Sequence, residues 1–295
     1  MPPTVYIINE STMLSDVEAL DIVTACQLQV SRDFAPVWGT DAILAFTPST
    51  SAPSATSVRA AEAEDDSERK HHHPMPPPVP APTPTPAPAP TPGTIPQGPA
   101  DPSAWWLVLL DNSDMAGALG YHDVTPAGLP IGKVFVQDDL SAGSKVSVTV
   151  SHELLEMLGD PDINLMAYDP NANPLEVMYA HEMCDACEDD SLGYDVALPN
   201  GKAVAVSDFV FPSWFQPSMA RVAGTKFDFT GALRGPFQLA PGGYIGVFNV
   251  QTGQWSQVNA RLSAKQHHLL HAKPGSRRHR RTNRRTWKRS ALRRG

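Results

Sequence analysis

Residues 151–162, SHELLEMLGDPD, hold the side chains best suited to chemistry. His152 and Glu156 stand four apart, so on one helix they share a face, about 6 Å apart along the axis. Imidazole nitrogen and carboxylate oxygen both suit a borderline divalent ion such as Zn2+. Glu153 flanks the pair, and in metal-assisted hydrolysis a carboxylate there takes a proton from the attacking water. A third ligand is needed. Asp160 would lie about 12 Å from His152 along an unbroken helix, too far to share the ion. Gly159 is a natural helix terminator, and after the turn it allows, Asp162 can come back to the metal. The competing reading is a solvated acidic helix face closed by Gly159, Asp160 and Pro161, with His152 an ordinary partly buried histidine.

A second cluster runs from His181 to Glu188, HEMCDACE. Cys184 and Cys187 form a C-x-x-C pair, and thiolates with an imidazole suit zinc. One pair without a second is not a zinc finger, and the βαβ context of a redox motif is missing. A closer fit to the first site is that Glu182 or Asp185 supplies a ligand or a supporting carboxylate there. Asp160, Glu182, Cys184 and Cys187 are therefore the supporting or alternative ligands. An acidic loop with reduced thiols is the plain alternative. His122 can face a substrate cleft, although a structural loop histidine is the preferred reading. Tyr168, Tyr179 and Tyr194 are candidate donors to a developing oxyanion. The run from His71 to His73 sits in a solvated tract.

The segment HELLEMLGDPD resembles the metal-binding motif of zincin metallopeptidases, in the metzincin form H-E-x-x-H-x-x-G-x-x-H/D. His152 matches the first ligand, Glu153 the general base, Gly159 the turn glycine and Asp162 the third ligand. Glu156 departs from the pattern, standing where the second histidine belongs. The resemblance implies a zinc site of His152, Glu156 and Asp162, a peptide or protein substrate, and a methionine such as Met183 beneath the metal. The order strand, helix, strand, strand, short edge strand, active-site helix also resembles the N-terminal half of that family.

The elements that must position these residues follow from local pattern. TVYII at 4–8 and AILAF at 42–46 are β-branched and apolar and predict strands. Between them Ser15 and Glu18 form a capping box, and Leu20, Val23, Val30 and Phe34 keep helical spacing up to Pro36 and Gly39. WWLVLL at 105–110 predicts a buried strand, the region from Gly117 through Asp123 an irregular loop, and KVFV at 133–136 another strand. Residues 145–158 predict an amphipathic helix despite the β-branched VSVTV. AVAVSDFVF and YIGVFN predict late strands, and Trp105, Trp106, Trp214 and Phe215 fall in the core.

Composition divides the 295 residues. Fourteen of the 30 prolines lie between Pro74 and Pro102, in a tract too poor in apolar surface to offset its ordering entropy. Residues 49–102 are expected to form a disordered Pro-rich insertion in one domain made of 1–48 and 103–265. Residues 266–295 are expected to form a basic disordered tail. Lys273 to Gly295 carries 11 Lys and Arg with no acid, leaving 12 basic against 31 acidic side chains elsewhere. Such a block, with Trp287 inside it, suits a polyanion or nucleic acid. No run of 18 apolar residues predicts a transmembrane helix. No signal peptide is visible, and reduced cysteines lean to a cytoplasmic setting.

The expectation is an α+β fold, a zincin-like mixed sheet with an N-terminal helix and an active-site helix. Its expected function is metal-dependent hydrolysis, as a zinc peptidase using a metal-activated water. The rival readings are a catalytically inactive zincin-like binding protein, or a nucleic-acid-associated protein acting through its basic tail.

Overall fold

The computed structural model describes residues 1–49, 95–114, 118–169 and 177–260. The Pro-rich tract and His71–His73, the Gly117 region and the basic tail fall largely or wholly outside the described residues.

The architecture is mixed α+β. β1 (Thr4–Asn9) is flanked by β2 (Ile43–Thr47) and β3 (Trp105–Leu110), both parallel to it. β5 (Pro130–Phe135) adds in parallel to β3, and β4 (Gly120–Val124) closes the edge antiparallel to β5. The order is β2-β1-β3-β5-β4, so strands from both sides of the Pro-rich tract share one sheet. The end of that tract is ordered, contrary to the expected boundary at 102. Ile95 is buried, Phe46 N–H donates to the Pro96 carbonyl at 2.8 Å, and Gly98 N–H donates to the Phe46 carbonyl at 3.1 Å. An apolar residue and two edge hydrogen bonds are enough to hold it against β2.

α1 (Asp16–Gln29) starts at the Ser15–Glu18 capping box. It runs through a π turn, Val30–Phe34, into α2 (Ala35–Trp38), which stops at Gly39 with φ 73°. The π turn keeps both Val30 and Phe34 in the core. α3 (Val136–Ala142) leads into α4 (Val146–Gly159). α4 is helical despite its β-branched start because its surroundings bury it. Every residue from Val148 to Leu158 is buried, so the expected amphipathic helix is a core helix with no solvated acidic face. Gly132 of β5 lets it approach the sheet, since a Cβ there would meet Met157 Sδ at 2.8 Å. Thr149 Oγ1 donates to Asp139 Oδ1 at 2.8 Å, tying α4 to α3.

The remaining chain forms a second sheet of β6 (Met166–Tyr168), β7 (Val177–Ala180), β10 (Tyr244–Asn249) and β11 (Gln254–Asn259), in the order β11-β10-β7-β6. A hairpin of β8 (Tyr194–Ala197) and β9 (Ala203–Val206) packs Val196 and Val206 against Ala25 of α1. Only the first four residues of AVAVSDFVF are strand. Asp208 interrupts it, accepting from the Phe209 and Thr230 amides at 2.8 and 3.1 Å. Trp106, Trp214 and Phe215 are buried, and Trp105 packs on the core partly exposed. Among the described residues, no helix is long and apolar enough to cross a membrane.

Candidate metal centre

α4 presents His152, Glu153 and Glu156 on adjoining turns, all essentially without solvent contact. The i,i+4 pair faces as its spacing requires, with His152 Nε2 3.2 Å from Glu156 Oε1. A buried chain anchors this turn. Ser151 Oγ donates to Gln29 Oε1 at 2.6 Å, Gln29 Nε2 donates to the Ser207 carbonyl at 2.8 Å, and Ser207 N–H donates to Ser151 Oγ at 3.0 Å.

β4 supplies the second wall. The Tyr121–Asp123 stretch expected to be loop is edge strand, because it pairs antiparallel with β5. His122 projects toward α4, with Nδ1 3.3 Å from Glu153 Oε2 and 3.5 Å from Glu156 Oε2. Gly120 permits this approach, since a Cβ there would meet Glu153 Oε1 and Thr149 Cγ2 at 2.9 Å.

The loop after β7 supplies the third wall. Asp185 Oδ1 lies 3.3 Å from His152 Nε2, and Glu182 Oε2 lies 3.8 Å from His122 Nε2. Cys184 N–H donates to Glu156 Oε1 at 3.3 Å. Met183, between them, is fully buried and packs against Gly159.

Two sets of donors could each hold an ion: His152, Glu156 and Cys184, and His122, Glu156 and Glu182, with donor atoms within 4.8 Å of one another. Tetrahedral zinc with bonds of about 2.0–2.3 Å sets its ligand atoms about 3.3–3.8 Å apart. Around His152 Nε2 the separations of 3.2 Å to Glu156 and 3.3 Å to Asp185 match that spacing, so these residues fit a divalent ion, while His122 faces Glu156 through Nδ1 and Glu182 through Nε2.

The electrostatics follow from burial. Burial and the charge of Asp185 push the Glu156 carboxyl up, with His152 opposing. Burial lowers the His122 imidazolium, but the Glu153 hydrogen bond and the charges of Glu182 and Glu156 prevail, pushing it up to about 9. Burial raises the Cys184 and Cys187 thiols well above their usual value.

Several sequence-predicted residues are not brought together. Asp162 is exposed and belongs to neither donor set. Asp160 is buried but turned away, its carboxylate accepting from the Asn164 and Leu165 amides at 3.0 and 3.1 Å. Gly159 is the last helical residue and not a left-handed turn, so the chain does not swing back as the motif reading required. Asp185 and Glu182 occupy that side of the site. Cys187 is buried outside both donor sets. Tyr194 is committed elsewhere, donating to Asp33 Oδ2 at 2.9 Å. His122, read as a structural loop residue, faces all three glutamates. No protein-family model, curated protein or solved structure matches the chain.

Proposed function

We propose that the protein is a metal-dependent hydrolase acting on peptide bonds, with zinc held by His152 and Glu156 together with Cys184 or Asp185. The observation carrying this reading is the position of Glu153, on the same helical turn as that pair and 3.3 Å from a third donor, His122. A bound divalent ion supplies Lewis acidity that polarises a substrate carbonyl and acidifies water. Glu153 accepts the proton of the attacking water, and His122 orients its carboxylate. The zincin resemblance supports the reading through His152, Glu153 and Met183. The element order supports it too: strand, helix, two strands, an antiparallel edge strand, a further parallel strand and, after the short α3, the helix bearing the motif. The third ligand of this proposal comes from the loop after β7 and not from Asp162.

One observation favours a second reading. His122, His152, Glu153, Glu156, Glu182 and Asp185 all have side chains no more than 10% exposed. A centre so enclosed also suits a structural ion that clamps α4, β4 and the loop after β7. The basic segment 273–295 suits a polyanion by its charge alone and stays a separate proposal.

Metal analysis and peptide hydrolysis of the full chain test the reading, with His71, His72 and His73 changed to Ala to remove their own metal affinity. The hydrolase requires bound metal that His152→Ala removes, together with activity lost in the same variant. Metal without activity on a broad peptide library leaves the structural clamp, and protein without metal overturns both.

A further inference from the structure

The two donor sets overlap in one residue, Glu156. Its carboxylate oxygens face opposite imidazoles, Oε1 toward His152 Nε2 at 3.2 Å and Oε2 toward His122 Nδ1 at 3.5 Å. Oε2 thus reaches the His122 ring from its Nδ1 side, and a carboxylate shared by two donor sets can bridge two ions. We propose that the centre is dinuclear: Glu156 bridges a first divalent transition-metal ion beside His152 and a second held by His122 and Glu182. This rests on the metal-site reading above and extends it.

Three further observations support the second position. Its ligands come from three separate elements, β4, α4 and the loop after β7, so their convergence is tertiary and not the accident of one acidic helix face. His122 Nδ1 lies against Glu153, a hydrogen bond of the kind that fixes the tautomer of a metal-binding imidazole and directs the other nitrogen at the ion. That other nitrogen, Nε2, makes no hydrogen bond among the described residues and faces Glu182 at 3.8 Å.

Charge points the same way. The six side chains comprise four carboxylates and two imidazoles, and an imidazole binds an ion in its neutral form. With these carboxylates ionised, both imidazoles neutral and Cys184 left as a thiol, one divalent ion leaves the six groups with a double negative charge, in surroundings where uncompensated charge is costly. Two divalent ions bring their sum to zero. Nitrogen and oxygen donors suit Zn2+ or Mn2+ at the second position, and two-metal centres commonly hold their ions about 3.5–4 Å apart.

The test uses the full chain with His71, His72 and His73 replaced by Ala, stripped with chelator and titrated with Mn2+ and, separately, Zn2+. Two equivalents should bind per chain, and the two-Mn2+ form should give an exchange-coupled electron paramagnetic resonance spectrum. Glu182→Gln and His122→Ala should each bind one equivalent, with uncoupled Mn2+, while circular dichroism shows the fold retained. Saturation at one equivalent, lost in His152→Ala, overturns the dinuclear centre and leaves the single-metal reading standing. Two equivalents without coupling, unchanged in Glu182→Gln, overturn it as well, because the second ion is then elsewhere. No bound metal overturns both readings. If the variants fail to fold, the stoichiometry and coupling of the parent decide alone.

Discussion

Met183 lies so close to Gly159 that a Cβ on the glycine would overlap its Sδ and Cε. The last residue of α4 thus packs directly on the loop that carries Glu182, Cys184 and Asp185. Gly159→Ala should therefore destabilise the fold, against helix propensity. Alanine outranks glycine by about 1 kcal/mol in a helix interior, and overpacking a full core costs about 1–3 kcal/mol. The expected net loss is up to about 2 kcal/mol, read as a lower denaturation midpoint. In a Met183→Ala background the same change should be neutral or stabilising. Equal losses in both backgrounds would exclude the contact as the cause.

Glu153→Gln should separate the general base from the ligands. Glutamine keeps the shape and one acceptor beside His122 but cannot take a proton. Metal content should stay at the parent level, while peptide hydrolysis should fall by about 10²–10⁴-fold. Metal loss in this variant would make Glu153 a ligand instead. An unchanged rate would remove it from the chemistry.

The Gln29–Ser151–Ser207 chain predicts a stability effect next to the site. Ser151→Ala removes the hydroxyl that donates to Gln29 and accepts from Ser207. Buried polar groups left without a partner cost about 1–3 kcal/mol, so the urea midpoint should drop accordingly. An unchanged midpoint would mean that water replaces the hydroxyl at no cost.

These contacts mark what local sequence can show. The Ser15–Glu18 box and the pairing of His152 with Glu156 are legible because each spans one turn of one helix. His122 was hidden because β4 is short, begins with a glycine and becomes strand only by pairing with β5. The placing of Asp185 and Glu182 beside His152 and His122 escapes the sequence for a related reason. Gly159 reads equally well as a turn or as space for a distant side chain, and only the packing of Met183 decides for space. That packing places Asp185 and Glu182, and not Asp162, beside α4. The sheet order was beyond reach because each strand pairing joins residues separated by a helix, a loop or the Pro-rich tract.

Asp208 predicts a pH dependence of stability. Burial raises its carboxyl, Thr230 opposes by hydrogen bonding, and Asp228 raises it further, to about 7 against an ordinary 3.8. The unfolded chain releases this proton near 3.8 and the folded chain near 7. Between those values the folded state holds more protons, so stability falls as pH rises through the window. The contribution is on the order of a few kcal/mol at most. Asp208→Asn, which keeps an acceptor for the Phe209 and Thr230 amides, should flatten this slope and raise the midpoint at pH 8 relative to pH 4. Parallel pH profiles of parent and variant would show that Asp208 ionises normally in the fold.

The pairing of β1 with β3 and the ordered residues from Ile95 onward together predict where the Pro-rich tract can be cut. Loop closure cost varies only slowly with length, roughly 0.6 kcal/mol per doubling. Removing residues 55–90 should therefore leave the melting temperature close to the parent. Extending the deletion through Gly98 removes the buried Ile95 side chain and both hydrogen bonds to Phe46. Burial of one such side chain is worth about 1.5–3 kcal/mol, and each hydrogen bond about 0.5–1.5 kcal/mol. The longer deletion should thus melt several degrees lower, in one cooperative transition. If residues 1–54 and 91–260, expressed apart, each melt cooperatively alone, the shared sheet is not the unit of folding. If the two deletions melt together, residues 95–98 add nothing to the edge of β2.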